Sequence, residues 1–120
     1  MREVLAIDDS ASVRQMVGYT LRQAGYEVAE AGDGLDGLDR ARRRKFDLII
    51  TDLNMPRMDG IAMISEIRKL PAYAYTPILM LTTESQPEKK DAGRRAGATG
   101  WIVKPFQAAQ LVAVTRKLVR

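Results

Sequence analysis

Three continuous apolar runs punctuate the chain: Val4-Leu5-Ala6-Ile7, Leu48-Ile49-Ile50 and Ile78-Leu79-Met80-Leu81. None alternates apolar with polar residues. Strands covered on both faces have that pattern, which points to a central parallel sheet. Glu27-Val28-Ala29-Glu30 does alternate and reads as an edge strand. Trp101-Ile102-Val103, ended by Lys104-Pro105, reads as the other edge.

Helical spacing fills the intervals. Val13, Met16, Val17, Thr20, Leu21 and Ala24 make one apolar stripe, with Ser12 as the expected N-cap and Gly25 at the C-terminal stop. Asp33 is expected to cap a second helix from about Leu35 to Arg43. Ile61, Ile64 and Ile67 line a third helix; Leu111, Val114 and Leu118 line a fifth. The fourth, Pro87 to about Ala96, offers only Ala92 and Ala96 to a core. Gly93 at its centre costs roughly 1 kcal/mol relative to alanine. It is therefore expected to be the least stable helix. Five strands alternating with five helices predict an α/β fold over a single domain, 1–120, with no linker or repeat.

Composition narrows the chemistry. The 120 residues are 46% hydrophobic, enough for a full core without staples. There is no cysteine, so disulfides and thiolate sites are excluded, and no histidine, which closes serine–histidine and cysteine–histidine mechanisms. The start lacks the apolar stretch of a signal peptide and no run reaches membrane-spanning length, so a soluble cytoplasmic protein without a membrane partner is expected. Net charge is +4, unevenly placed: residues 1–84 carry −2 and residues 85–120 carry +6. The basic residues are not interleaved with stacking aromatics. An acidic protein partner is expected before nucleic acid.

In a parallel sheet the carboxyl ends of the strands share one edge, where ligands bind. Here the first strand ends in Asp8-Asp9, the third in Asp52, the fourth in Thr82-Thr83 and the fifth in Lys104-Pro105. Any one of these could be a cap, a turn residue or a surface cation. Their convergence on one rim is harder to dismiss. Two carboxylates about 5 Å apart repel by roughly 3 kcal/mol at an effective dielectric of 20. Such a cluster takes up a proton, holds a cation, or leans on Lys104. All-oxygen ligands without histidine or cysteine suit Mg2+, and Asp52 becomes a candidate phosphoryl acceptor.

"AIDDSASVRQMV", "LIITDLNMPRMDG", "LMLTTES" and "GATGWIVKPF" together resemble the receiver domain of two-component response regulators, closest to the stand-alone chemotaxis regulators of the CheY type. The resemblance runs from the first strand to the last helix. It implies a flavodoxin-like (βα)5 three-layer sandwich with strand order 2-1-3-4-5. It implies Asp52 as the phosphorylated residue, with Asp9, Asp52 and the Asn54 backbone carbonyl as Mg2+ ligands and Asp8 acting through water. Lys104 corresponds to the lysine that contacts the phosphoryl group. Thr82 and Trp101 correspond to the switch pair, and Asn54, Thr83, Glu84 and Pro105 flank the site. The Lys104-Pro105 bond is expected to be cis.

The same resemblance implies a partner sensor histidine kinase of the CheA kind, a downstream target such as a flagellar switch protein, and a phosphatase. It implies self-phosphorylation from a donor and autodephosphorylation rather than enzymatic turnover. No output segment follows the fifth helix, so output by protein binding is expected. A phosphorelay carrier or a phosphate sink would read similarly, whereas retention of Asp9, Asp52, Thr82 and Lys104 argues against a non-phosphorylated pseudo-receiver binding module. A haloacid-dehalogenase-type phosphatase is the remaining rival, but it would place its nucleophile on the first strand, with a second acid two positions on.

Overall fold

The computed structural model describes residues 2–83 and 86–119. Five strands, β1 (Glu3–Ile7), β2 (Glu27–Ala31), β3 (Leu48–Thr51), β4 (Ile78–Thr82) and β5 (Gly100–Val103), alternate with five helices. The helices are α1 (Ala11–Gln23), α2 (Gly34–Arg43), α3 (Gly60–Arg68), α4 (Pro87–Ala96) and α5 (Ala108–Leu118). All strand pairs are parallel, in the order β2-β1-β3-β4-β5, as the resemblance implied.

Strand alternation sorts the core into two halves. Leu5, Ile7, Ile49, Ile78 and Met80 point one way and pack with Leu38, Met63, Ile64 and Ile67 of α2 and α3. Val4, Ala6, Leu48, Ile50, Leu79, Leu81 and Ile102 point the other way, onto Val17 and Leu21 of α1 and Leu111 of α5. The central strands bury both faces, which is why they read as unbroken apolar runs.

Local details depart from the expected pattern in three places. Ser10, not Ser12, caps α1, accepting from the Val13 amide at 3.4 Å. The chain turns earlier than the stripe suggests because the Asp8 carboxylate takes the Ser10 amide at 2.9 Å. Met16 is 56% exposed; the stripe of α1 is narrower than its spacing implied, centred on Val17 and Leu21. In α4 the buried residue is Gly93, while Ala92 and Ala96 are only half-buried. A Cβ at Gly93 would stand 3.1 Å from Cζ3 of Trp101, so the glycine provides the indole's seat. Asp33 caps α2 and Gly25 follows α1 at φ 99, both as expected.

Candidate functional site

The phase of the sheet delivers the site. Val4 and Ala6, Leu48 and Ile50, and Ile102 all face the α1–α5 layer, and the next residues in that phase are Asp8, Asp52 and Lys104. Backbone hydrogen bonds carry the ladder past the strand ends: Asp8 to Ala31, Asp52 to Ile7, each 3.1 Å, and Lys104 to Thr82 at 2.8 Å. The alternation that fills the core therefore places two carboxylates and an ammonium at one point of the rim. The Lys104 Nζ donates to Asp8 Oδ2 at 2.9 Å and to Asp52 Oδ2 at 3.2 Å. Asp9 is exposed, yet Asp8, Asp9 and Asp52 each offer an oxygen within 4.8 Å of the others.

Each member is held from below. Asp8 Oδ1 accepts from the Ser10 amide, and its carbonyl accepts from Arg14 at 2.7 Å. Arg14 is itself paired with Glu30 at 3.3 Å. Asp52 Oδ1 accepts from the Leu53 amide at 2.7 Å, and the Asp52 carbonyl from Thr51 Oγ1 at 2.9 Å. Gly60, the first residue of α3, donates to the Leu53 carbonyl at 2.8 Å. A Cβ there would lie 2.1 Å from the Asp52 carbonyl oxygen, so only glycine lets α3 start this close to the acid.

Carboxylate oxygens within 4.8 Å of one another repel by about 3 kcal/mol or more at an effective dielectric of 20. Burial pushes the Asp8 carboxyl above its usual range, and the bonds from Lys104 and Ser10 only partly offset this. Burial pulls Lys104 down, but its bond to Asp8 and the attraction of Asp52 and Asp8 outweigh that, so it holds its proton more tightly than a free lysine. One ammonium faces three acids. The excess negative charge, the all-oxygen donor set and the open side at Asp9 fit a hard, partly hydrated divalent cation such as magnesium.

The remaining expected residues fall around this centre. Thr82 is fully buried and lies in phase with Ile78 and Met80, on the face opposite Asp52. Trp101 pairs in register with Met80, so Thr82 and Trp101 share that face. Continuing the β3–β4 register sets Thr82 one residue beyond the level of Asp52 on the adjacent strand. Asn54, Thr83 and Pro105 are exposed at the rim, and the Lys104-Pro105 bond is cis. Glu84 lies outside the described residues. Gly60 and Arg57, whose φ is 66, were not singled out from sequence, and Gly93 was read only as a weak point of the fourth helix. The "MDG" ending of the third-strand motif was the available signal for Gly60.

A family model described as the response regulator receiver domain matches residues 4–116. The chain belongs to this family, the receiver domains of two-component signalling. It is similar to the chemotaxis protein CheY-3 of Vibrio cholerae, 39% identical over 110 residues, which are 91% of this chain and 85% of that protein. Its fold matches the Vibrio cholerae chemotaxis protein CheY4 with a TM-score of 0.95 at 50% identity, covering 99% of each chain. It also matches the receiver domain of a Pseudomonas aeruginosa sensor histidine kinase, solved with a magnesium ion coordinated in the active site cleft. That match has a TM-score of 0.91 at 27% identity over 98% of this chain and 96% of that one. Among the described residues no helix is long and apolar enough to cross a membrane.

Proposed function

We propose that Asp52 accepts a phosphoryl group from a phosphohistidine on a partner sensor histidine kinase, and that the aspartyl phosphate switches binding to a second protein. The observation that carries this reading is Lys104 bonded to both Asp8 and Asp52 inside a pocket with three crowded carboxylates. An Asp52 oxygen attacks phosphorus as the bond from phosphorus to imidazole nitrogen breaks. The imidazole leaves with that electron pair and takes a proton from water. Water later hydrolyses the acyl phosphate, releasing inorganic phosphate and restoring the carboxylate. The chain supplies no histidine of its own, in keeping with a donor in trans.

Lys104, already placed beside Asp52, neutralises charge on the incoming phosphoryl oxygens. Asp9, Asp52 and the Asn54 carbonyl would hold the magnesium ion, with Asp8 acting through a water. Bound there, the ion adds positive charge facing the transferring group. Between transfers, the Lys104 bond holds the Asp52 carboxylate in place, and the buried strand ends keep both from drifting.

The switch runs through the face that Thr82 and Trp101 share. Thr82 moves toward the phosphate and Trp101 fills the vacated space. Its seat against Gly93 couples the indole to α4. Lys90 stands 6.0 Å over the Trp101 ring, so the basic surface of Lys89, Lys90, Arg94 and Arg95 follows. An acidic protein segment is the fitting partner for this α4-β5-α5 surface. The named relatives support a place in chemotaxis; in this reading a histidine kinase stands upstream and a flagellar switch protein downstream.

Trp101 is the single tryptophan and reports the switch. Adding acetyl phosphate with Mg2+ is expected to change its fluorescence, and Asp52→Asn to abolish the donor response. A flat spectrum in the native chain contradicts the switch. Pull-down of flagellar switch proteins with and without a phosphate mimic tests the pathway.

A further inference from the structure

Among the described residues, Arg57 is the one non-glycine with a left-handed backbone, φ 66. That conformation is uncommon for a side chain with a Cβ and has to be held by its surroundings. Here the hold is visible. Arg57 Nε donates to Asp33 Oδ2 at 2.7 Å and Nη2 to Asp33 Oδ1 at 2.9 Å, a two-pronged ion pair across 24 residues of sequence. Asp33 is also the N-cap of α2, its Oδ1 accepting from the Asp36 amide at 2.9 Å. One carboxylate thus serves a helix start and the loop opposite it. Next to the pair, the Met58 carbonyl occupies the space a Cβ on Gly34 would need, at 2.2 Å. The loop backbone rests directly on the first turn of α2.

The segment between β3 and α3 is therefore pinned twice, at Gly60 beneath Asp52 and at Arg57 against α2. Asn54 lies in this segment. Asp9 and Asp52 take their positions from β1 and β3, which are anchored in the sheet. Asn54 lies one residue beyond Leu53, whose carbonyl Gly60 holds at 2.8 Å, and from there outward the loop sets its position. We propose that Arg57 is a positioning residue for the phosphoryl-transfer site: its ion pair with Asp33 holds the loop so that the Asn54 carbonyl is available to the metal. This rests on the reading above, in which Asp9, Asp52 and Asn54 take magnesium, and adds a residue that reading does not contain. A loop released from α2 spends part of its time in arrangements that do not bind, and apparent affinity falls by the competent fraction.

The test uses Arg57→Gly and Asp33→Ser in the full chain. Glycine removes the ion pair and suits the backbone angle, while serine keeps a helix cap and removes the arginine's partner. Amide hydrogen exchange of residues 54–60 in metal-free protein reads the tether, and calorimetric titration with MgCl2 reads the site. Both variants are expected to exchange faster in the loop and to bind Mg2+ roughly 3- to 5-fold more weakly. The double variant should be no worse than either single one, and Arg57→Lys should recover part of the affinity. Added salt should weaken Mg2+ binding more in the native chain than in Arg57→Gly, because only the native pair is screened. Variants that match the native chain in loop exchange, or in Mg2+ affinity, overturn the inference and leave the function intact. A native chain that takes up no Mg2+ overturns both.

Discussion

Gly60→Ala places one methyl group where the structure has no room. The new Cβ would stand 2.1 Å from the Asp52 carbonyl oxygen and 3.1 Å from the Asp52 carbonyl carbon and Leu53 Cα. The obstacles are backbone atoms, so no side chain can turn aside. The contact must open by roughly 1 Å, either by lifting the first turn of α3 or by turning the Asp52-Leu53 peptide. Both routes disturb the nucleophile, since the Leu53 amide holds Asp52 Oδ1 at 2.7 Å and the Leu53 carbonyl accepts from residue 60 at 2.8 Å. Overpacking of this kind costs about 1–3 kcal/mol of stability, and alanine's better helix propensity offsets at most about 1 kcal/mol. A displacement of about 1 Å at a reacting atom costs on the order of 100-fold in rate. Urea unfolding measures the first effect; the initial rate of phosphorylation by acetyl phosphate at saturating Mg2+, followed by intact mass, measures the second. The expected outcome is a rate 30- to 100-fold lower, roughly, with a loss of about 1–2 kcal/mol in stability. A variant within twofold of the native rate would refute the close-approach argument.

Other substitutions probe the packing around the site. Gly93→Ala adds a methyl 3.1 Å from Trp101; helix propensity improves by about 1 kcal/mol, but the indole must give way. A shifted emission maximum and a weaker response to phosphodonor are expected, and an unchanged spectrum would separate Trp101 from α4. Thr115 is fully buried and its hydroxyl meets no partner among the described residues. Thr115→Val should therefore stabilise by about 1 kcal/mol, and a loss on urea unfolding would contradict that. Tyr73 joins the Phe46 amide to the Ala41 and Arg44 carbonyls through its hydroxyl at 3.1, 2.9 and 2.8 Å, so Tyr73→Phe should cost about 2–3 kcal/mol. Burial raises the Tyr73 phenol above its usual value. The folded chain then holds that proton more tightly than the unfolded one, and the associated stability, present below about pH 10, is lost as pH rises beyond it. Lys104 contributes with the same sign. Urea unfolding of Tyr73→Phe across this range should show a shallower decline, and an equal slope would contradict the assignment.

How far the sequence could be read depends on the range of the interaction. Central strands were legible because both their faces are buried, which leaves runs such as Leu48-Ile49-Ile50 with no polar interruption. The convergence of Asp8, Asp52 and Lys104 was legible for the same reason: strand ends of a parallel sheet share an edge. Met16 misled because helical spacing shows which residues share a face and not how wide a stripe the neighbouring layers cover. The cap fell on Ser10 because the Asp8 side chain turns the backbone there, a contact that the string "DDSAS" does not disclose. Gly93 read as a weakness of α4, and its purpose depends on the indole of a strand that follows in sequence. The Arg57–Asp33 pair spans 24 residues, and nothing local in either segment announces it.

The account stands on phosphoryl uptake at a single carboxylate. Intact-mass spectrometry after incubation with acetyl phosphate and Mg2+, followed by peptide mapping, should find one adduct of about 80 Da on Asp52. Magnesium removal, Asp52→Asn and Lys104→Met should each abolish or sharply reduce it. No adduct on the native chain, or an adduct that persists in Asp52→Asn, would contradict the account.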